Sequence, residues 1–411
     1  MPTFTYTART RDGKRQKGTM TAESRQALTQ MLAAKGLIVE NAAEASKTVK
    51  PTAASANARR KVKSTDLLVF TRQLATIVSS GLPLLQGLDI LSEQSEDPNF
   101  SAVILACAQD VENGESFSNA IGKFPRAFPD LYVSMVRAGE AGGDLDGVLL
   151  QLADYMEASE ELRRRIKSAM TYPVVAFSMI LLIAIGLIVW VVPQFATIFA
   201  SFGTPDKPVR LPAPTLILIS ISDTLGSWVG LAVLGAVIAI VFAVRAYGRT
   251  PSGRYNLDVL KLRLPIFGIL LRKVAISRFT RTLSTLTRSG VAILHALEIA
   301  ERTAGNEVFA RVVKSAGDSV RNGETLAEPL ARSEQFPPMV TRMIGVGEKT
   351  GALEGMLLKI AEFYDSEVKA MVDSMTSLIE PILIMFMGIV VGGIVVALFM
   401  PILMLSSLVG N

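Results

Sequence analysis

The sequence predicts an all-α membrane protein: two duplicated cytoplasmic helical bundles of five or six helices each, three transmembrane helices and a small N-terminal α/β module. Three observations lead to this prediction. The chain of 411 residues is 50% hydrophobic and only 19% charged, its apolar residues collect in three long stretches, and one long segment occurs twice. A composition this apolar is unusual for a soluble protein.

The N-terminal module is predicted at residues 1–42. Phe4, Tyr6 and Ala8 alternate as residues on one face of a strand do, and Asp12-Gly13 is typical of a hairpin turn. A second strand near 17–20, a helix near 22–35 and a strand at Leu37–Val39 are expected to follow. Residues 43–64, rich in Ala, Ser and Lys, are predicted to form a flexible linker.

The repeat sets the architecture. Residues 70–90 and 279–299 are identical at ten of 21 positions, at a constant separation of 209. Matching landmarks continue downstream with small changes of spacing. We therefore predict one bundle at 65–167 and a second copy within 247–374.

Both copies retain the same kinds of residue, which are typical of turns and helix ends. The matched positions are Arg72, Gly81, Gly114, Glu140, Gly143 and Pro173 in the first copy and Arg281, Gly290, Gly323, Glu348, Gly351 and Pro381 in the second. The segments around Glu140 and Glu348 are expected to form tight interhelical turns. There the glycines would supply positive φ angles and the glutamates would bond to backbone donors.

Three stretches are predicted to span the membrane, at 168–200, 213–246 and 375–411, with a periplasmic loop at 201–212 between the first two. Asp223 is expected at the interface, because a carboxylate at the bilayer centre costs about 2.5–3.5 kcal/mol. Pro381 suits a helix start or a kink at the membrane surface. Its neighbour Glu380 is expected to be interfacial and hydrogen-bonded, with a role in a moving machine as the alternative.

Small residues in the spans favour close helix packing, within the chain or between subunits. Gly388 and Gly392 form one such pair in the third span, and Gly226 and Gly230 form another in the second. The alternative is that these glycines only reflect the ordinary composition of lipid-facing helices.

The placement of cations predicts the orientation. Arg163, Arg164, Arg165 and Lys167 precede the first span, and further arginines follow the second. The positive-inside rule then places the N-terminus and both bundles in the cytoplasm and the C-terminus in the periplasm. Because topology explains these cations, no nucleic-acid partner is expected. The N-terminus lacks an apolar core, so no cleaved signal peptide is expected.

Catalytic patterns are missing from the sequence. A single histidine, His295, and a single cysteine, Cys107, cannot build a multi-histidine metal site or a Cys-His pair. The segment 345–351 mixes glycines with a Lys-Thr pair but lacks the spacing of a phosphate-binding loop. We expect no enzymatic activity and no cofactor, with Cys107 in a core and His295 at a surface or satisfied helix position.

The repeated FTRQLATIVSSGLPLLQGLDIL block, the AGEAGGDL and VGEKTGAL turns, VVPQF after the first span and the final EPILIMFMGIVVGGIVVALFMPI resemble the type II secretion F-protein family. Within it they are most similar to the inner-membrane platform proteins of type IV pili. The resemblance covers nearly the whole chain, including the F-x-Y-x-A start. One departure is Ala292, where the first copy has Pro83.

The resemblance implies an inner-membrane platform for type IV pilus biogenesis. Such a protein would couple hexameric assembly and retraction ATPases in the cytoplasm to the insertion and extraction of pilin transmembrane helices. It implies further contacts with other pilus inner-membrane and alignment proteins, and we expect a homo-oligomer. A type II secretion F protein that handles pseudopilins is the alternative in the same family, and a membrane transporter is a third.

Overall fold

The computed structural model describes residues 3–10, 15–21, 31, 37–44, 61–201 and 212–409. Near the N-terminus lie three strands, β1 (Thr3–Thr10), β2 (Arg15–Thr21) and β3 (Leu37–Glu44). They form an antiparallel sheet of order β2-β1-β3, with β1 paired to both neighbours. The helix predicted near 22–35 and the linker predicted at 43–64 lie largely outside the described residues.

The first bundle contains six helices, as the repeat and its turn residues predict. They are α1 (Ser64–Ser79), α2 (Leu84–Gln94), α3 (Pro98–Glu112), α4 (Phe117–Gly122), α5 (Asp130–Gly142) and α6 (Leu145–Gly186). Capping side chains mark several starts. The Asp97 side chain accepts a hydrogen bond from the Asn99 amide at the start of α3, which satisfies one otherwise unpaired donor.

The second bundle repeats this order and adds one helix at its start. Before it, α7 (Val192–Ser201), α8 (Ala213–Gly226) and α9 (Trp228–Tyr247) complete the membrane part, and α10 (Pro251–Arg263) precedes the repeated helices. The repeated helices are α11 (Phe267–Arg288), α12 (Ile293–Thr303), α13 (Glu307–Arg321), α14 (Ala327–Arg332), α15 (Pro338–Thr350) and α16 (Leu353–Val409).

Three helical segments in the described part are long and apolar enough to cross a membrane, the number that the sequence predicts. They are Leu145–Ile198, Trp228–Tyr247 and Leu353–Leu403. The first and third begin inside the bundles. At about 1.5 Å per residue, α6 with its 42 residues is about 63 Å long and α16 with 57 is about 86 Å long. Both exceed the ~30 Å hydrocarbon core, so each carries a bundle at one end and a span at the other.

The prediction of one helix at 213–246 is wrong. The chain breaks at Ser227, where the backbone is extended and the serine side chain accepts a hydrogen bond from the Val229 amide to start α9. Gly226 ends α8, and a Cβ at Gly230 would lie 2.4 Å from the Leu225 carbonyl oxygen. Gly230 therefore allows the sharp turn, whereas a Cβ at Gly226 would meet no atom within 4 Å. The two glycines lie on different helices and do not form a packing stripe on one helix.

Pro193 follows a short π-helical turn at Leu187–Val191, between α6 and α7. A proline inside a helix has no amide hydrogen and its ring crowds the carbonyl four residues earlier. The wider π turn relieves that crowding, so the helical path continues through Pro193 with a local irregularity.

Candidate functional site

The two bundles share one hydrophobic core. Phe70, Phe100 and Phe128 of the first copy lie in the same buried cluster as Phe279 and Phe309 of the second. The aromatic rings pack edge to face within each copy, with centroids 5.3 Å apart for Phe70 and Phe100. Because the apolar core is continuous, the bundles form a single body.

Polar contacts reinforce this interface between the bundles. The Tyr155 hydroxyl on α6 lies 3.2 Å from the Thr282 hydroxyl on α11, and burial raises the pKa of Tyr155. Arg302 donates to Asp130 at 2.6 Å, at an exposed edge. Further contacts join Gln151 to Ser289 at 3.0 Å and Ser134 to His295 at 3.2 Å.

Arg72 and Arg281 tie the first helix of each bundle to the helix that enters the membrane. Arg72 donates to Glu157 at 2.7 Å and to Asp154 at 2.6 Å, both on α6. These carboxylates raise the pKa of Arg72 well above its usual range. Arg281 donates to Asp365 on α16, the residue that aligns with Glu157. These contacts hold the first helix against the membrane-entering helix in both copies.

Glu140 and Glu348 close the N-termini of the short helices. The two carboxylate oxygens of Glu140 accept from the Phe117 and Ser118 amides at 2.5 and 3.0 Å. Glu348 accepts from the Leu326 and Ala327 amides at the same two distances. A carboxylate suits this place because the first amides of a helix lack backbone partners and carry partial positive charge.

The glutamates lie inside helices, and the turns begin only after them. Residues 345–350 are the last turns of α15, and Gly351 ends the helix with a φ angle of 74°. Gly143 ends α5 in the same way at 72°. A left-handed residue at this position costs least when it is glycine. Gly81, Gly114, Gly290 and Gly323 also have positive φ angles.

Pro173 and Pro381 lie within continuous helices. Pro173 is buried inside α6, whereas Pro381 is exposed inside α16. A helix start at Pro381 is excluded because α16 begins at Leu353. Glu380 projects from an exposed face and has no hydrogen-bond partner among the described residues, contrary to the expected bond.

The membrane part has a small core where α8 packs between the first and third spans. Ala184, Leu218, Ile394 and Leu398 are buried there. Two polar side chains of α8 bond to the backbone of its neighbours. Thr215 donates to the Ala397 carbonyl at 2.5 Å, and Ser222 donates to the Ile188 carbonyl in the π turn at 2.7 Å. Within lipid such bonds fix the helices relative to one another.

Gly388 and Gly392 do not contribute to this core. A Cβ added at either glycine would meet no atom within 4 Å, so the small-residue face of α16 is open. The helix α9 is also open, with Trp228 78% exposed and Leu231 73% exposed, and none of its residues is buried. Any close packing of α9 or of the glycine face of α16 therefore involves something other than the described residues of this chain.

Sequence reasoning missed the carboxylates that pair with Arg72 and Arg281, and it missed Thr215 and Ser222. The last two are seven residues apart in an apolar stretch, a spacing that places them on one helix face.

Cys107 is buried, as predicted, and its surroundings raise the pKa of the thiol to about 12. In the described ranges, His, Cys, Asp and Glu form no group of three or more that could hold a metal ion.

Comparison with known proteins matches both bundles and the N-terminal module. The family model "Type II secretion system (T2SS), protein F" matches residues 70–193 and 279–401, and the model of the N-terminal domain of protein F matches residues 1–40. The two matched segments coincide with the sequence repeat and with the repeated helices.

Relatives are similar over almost the full chain. The type IV pilus assembly protein PilC of Thermus thermophilus is 43% identical, over 98% of this chain and 97% of its own. PilC of Myxococcus xanthus is 40% identical, over 98% and 95%. The type II secretion system protein F of Pseudomonas aeruginosa is 36% identical over 100% of both chains. With its repeat, its paired six-helix bundles and these matches, this chain belongs to the type II secretion system protein F family.

Proposed function

We propose that this chain is an inner-membrane platform protein of type IV pilus biogenesis. The observation that carries the proposal is the continuity of α6 and α16, each of which runs from a bundle into a span without a break at the junction. The identity of 40–43% with type IV pilus assembly proteins over 98% of the chain supports the pilus assignment.

In this proposal the bundles receive force from hexameric assembly and retraction ATPases in the cytoplasm. The spans pass the displacement to pilin transmembrane helices, which enter or leave the filament. Other pilus inner-membrane and alignment proteins and a second copy of the chain complete the assembly. The distribution of cations supports a cytoplasmic N-terminus, cytoplasmic bundles and a periplasmic C-terminus.

The mechanical step requires that bundle and span move together. The Arg72 and Arg281 ion pairs support this, because they join the first helix of each bundle to α6 or α16. The shared core supports it as well, because one bundle cannot rotate alone without exposing buried phenylalanines. The protein would pass motion from the cytoplasm to the membrane and would not catalyse a reaction of its own.

A flexible insertion tests the coupling. Ten Gly/Ser residues between Met170 and Thr171 would separate bundle from span, just after the packed residues Ile166 and Ala169. We expect pili to be lost while membrane insertion and ATPase binding persist. The same insertion between Ala54 and Ser55, in the predicted linker, is the control and should leave piliation intact. Normal piliation of the first variant would refute mechanical coupling.

Full-length identity of 36% with a type II secretion protein F favours secretion as the second candidate. Complementation separates the two. Expression in one host that lacks its pilus platform protein and in another that lacks its secretion F protein should restore pili and leave secretion defective. Rescue of secretion alone would assign the chain to the other branch.

A further inference from the structure

A groove on the first bundle lies beside the part of α6 that approaches the membrane. Its walls come from residues 61–67, the loop at 126–131 and α6 at 152–167, and its volume is about 870 Å³. Val62 is buried in the core, which holds the segment before α1 in place along the groove. Leu152 and Met156 contribute an apolar floor.

The rim of this groove is strongly basic. Six cationic side chains line it, from three separate segments, and Glu160 is the one carboxylate among its described lining residues. These cations are Lys61, Lys63, Arg126, Arg163, Arg164 and Lys167. Arg163 lies 3.7 Å from Glu160, and among the described residues no ion pair joins Lys61, Lys63, Arg164 or Lys167 to a carboxylate. Four such cations that converge on one cavity favour an anionic ligand.

The second copy of the repeat shows what this groove lacks. There α11 begins at Phe267, six residues before Lys273, the position that aligns with Ser64 at the start of α1. The added turns bring Leu270 onto Val372 and Met375 of α16, and all three are buried.

The aligned residues of the first copy are Lys61, Arg164 and Lys167. An apolar contact that fills the second bundle is thus replaced by three cations around open space. The two copies differ here in these side chains and in the length of one helix. The first copy therefore presents cations where the second copy packs its own helix.

The height of the groove above the membrane identifies the anion. Tyr172, 57% exposed, has the amphipathic ring typical of the membrane interface. Lys167 and Arg164 precede it by five and eight residues on the same helix, about 7 and 12 Å along the axis. The headgroup layer of one leaflet extends about 5–7 Å beyond the hydrocarbon, and an arginine side chain spans the remaining distance.

We propose that this groove binds the headgroup of an anionic phospholipid. The cationic rim would bind the phosphodiester, and the apolar floor would contact the glycerol and the first methylene groups. The proposal requires only that α6 crosses a membrane, so it stands independently of the proposed role in pilus assembly.

Lipid binding by the full-length protein in detergent is the direct test. Dioctanoyl-phosphatidylglycerol, dioctanoyl-phosphatidylcholine and inorganic phosphate are titrated separately, with the melting temperature and the native mass spectrum as readouts. We expect a saturable shift and a one-to-one adduct with phosphatidylglycerol only. An equal shift with phosphatidylcholine, or with phosphate alone, would overturn the proposal.

The double variant Lys61→Gln/Lys63→Gln separates a groove from general attraction to the membrane, because these lysines are remote from the span in sequence. Loss of two cations should weaken phosphatidylglycerol binding about tenfold or more. Arg164→Gln should weaken it from the opposite wall. The matched control Lys314→Gln/Lys349→Gln removes two exposed lysines of the second bundle and should leave binding unchanged.

Equal affinities of the Lys61/Lys63 variant and its control would refute the site. A different result would change the class of ligand. If neither the parent protein nor any variant bound lipid, and a polyglutamate peptide bound only when Lys61 and Lys63 were present, the groove would take an acidic protein segment. Melting temperatures without ligand verify that each variant is folded, which is expected because the substituted side chains are exposed.

Discussion

The two arginines that tie each bundle to its membrane helix differ in burial. The side chains of Arg281 and Asp365 are 18% and 25% exposed, whereas Arg72 is 34% exposed and its partner Asp154 is 72% exposed. An ion pair in water contributes less than about 1 kcal/mol, but a carboxylate left partly buried without its partner costs more. The two copies therefore hold the same contact at different strengths.

Substitution of each arginine by methionine should show this difference. Arg72→Met should lower the free energy of unfolding by about 0.2–1 kcal/mol, and the loss should shrink in high salt. Arg281→Met should cost about 1–3 kcal/mol, because among the described residues Asp365 then keeps only the Ser277 hydroxyl as a partner. Chemical denaturation in detergent measures both values. Equal losses at low and high salt would contradict the assignment of Arg72 as the more solvated pair.

Cys107 provides a reporter for the first bundle. Burial raises the pKa of its thiol to about 12, so the reactive thiolate is scarce in the folded protein at neutral pH. We expect a maleimide to label Cys107 only on unfolding. The exposed control Cys107→Ala/Ser366→Cys should react at once. Rapid labelling of native Cys107 would show that this core opens readily.

The same thiol predicts the sign of a pH effect. Its pKa rises from 9.0 to about 12 on folding, so its contribution to stability is complete below about pH 9 and is lost as pH rises towards 12. Over that interval, the parent protein should lose more stability than Cys107→Ser, whose hydroxyl does not ionise there. Parallel pH profiles of the two proteins would contradict the shift.

At the scale of elements, α8 depends on two hydroxyl groups for its place in the membrane. Ser222→Ala removes the bond to the Ile188 carbonyl and should destabilise the membrane part by about 0.6–1.7 kcal/mol. Ser220→Ala, on an exposed face of the same helix, is the matched control. Unfolding in mixed micelles measures both. An equally large loss of stability in Ser220→Ala would show that the destabilisation does not come from the bond to the Ile188 carbonyl.

The helices show which parts of the fold can be predicted from the sequence. The apolar stretches and the repeat predict three spans and two bundles, because period and length are strong signals. The break at Ser227 was missed because the stretch around it is apolar throughout, although Gly226-Ser227 is a fair stop and start signal. The pairing of Arg72 with Asp154 and Glu157 joins residues more than 80 positions apart, and spacing alone cannot choose such partners.

The groove on the first bundle was also beyond the sequence alone. The positive-inside rule explains why the triplet Arg163–Arg165 is basic, but not why it lies beside a groove. Lys61 and Lys63 belong to a different segment, which lies near α6 on either side of the buried Val62. A comparison of the two copies supplies the missing signal, because Leu270 and Met375 fill the equivalent space in the second bundle.

For the molecule as a whole, the continuous core predicts that both bundles unfold in one transition. Cys107 reports on the first bundle, and Ala316, its aligned and fully buried counterpart, can carry the reporter for the second. The parent protein and Cys107→Ala/Ala316→Cys should each be labelled in a single thermal transition that coincides with its own unfolding measured by circular dichroism. Labelling of either thiol well below the global transition would show that one bundle opens alone.

The shared core also affects how the protein is made. Tyr155 meets Thr282 only after 127 further residues have left the ribosome, which at about 5–20 residues per second takes about 6–25 s. During that interval two apolar segments have to enter the bilayer, and the face of the first bundle that contacts the second has no partner yet. The order of translation therefore becomes part of how this fold is reached.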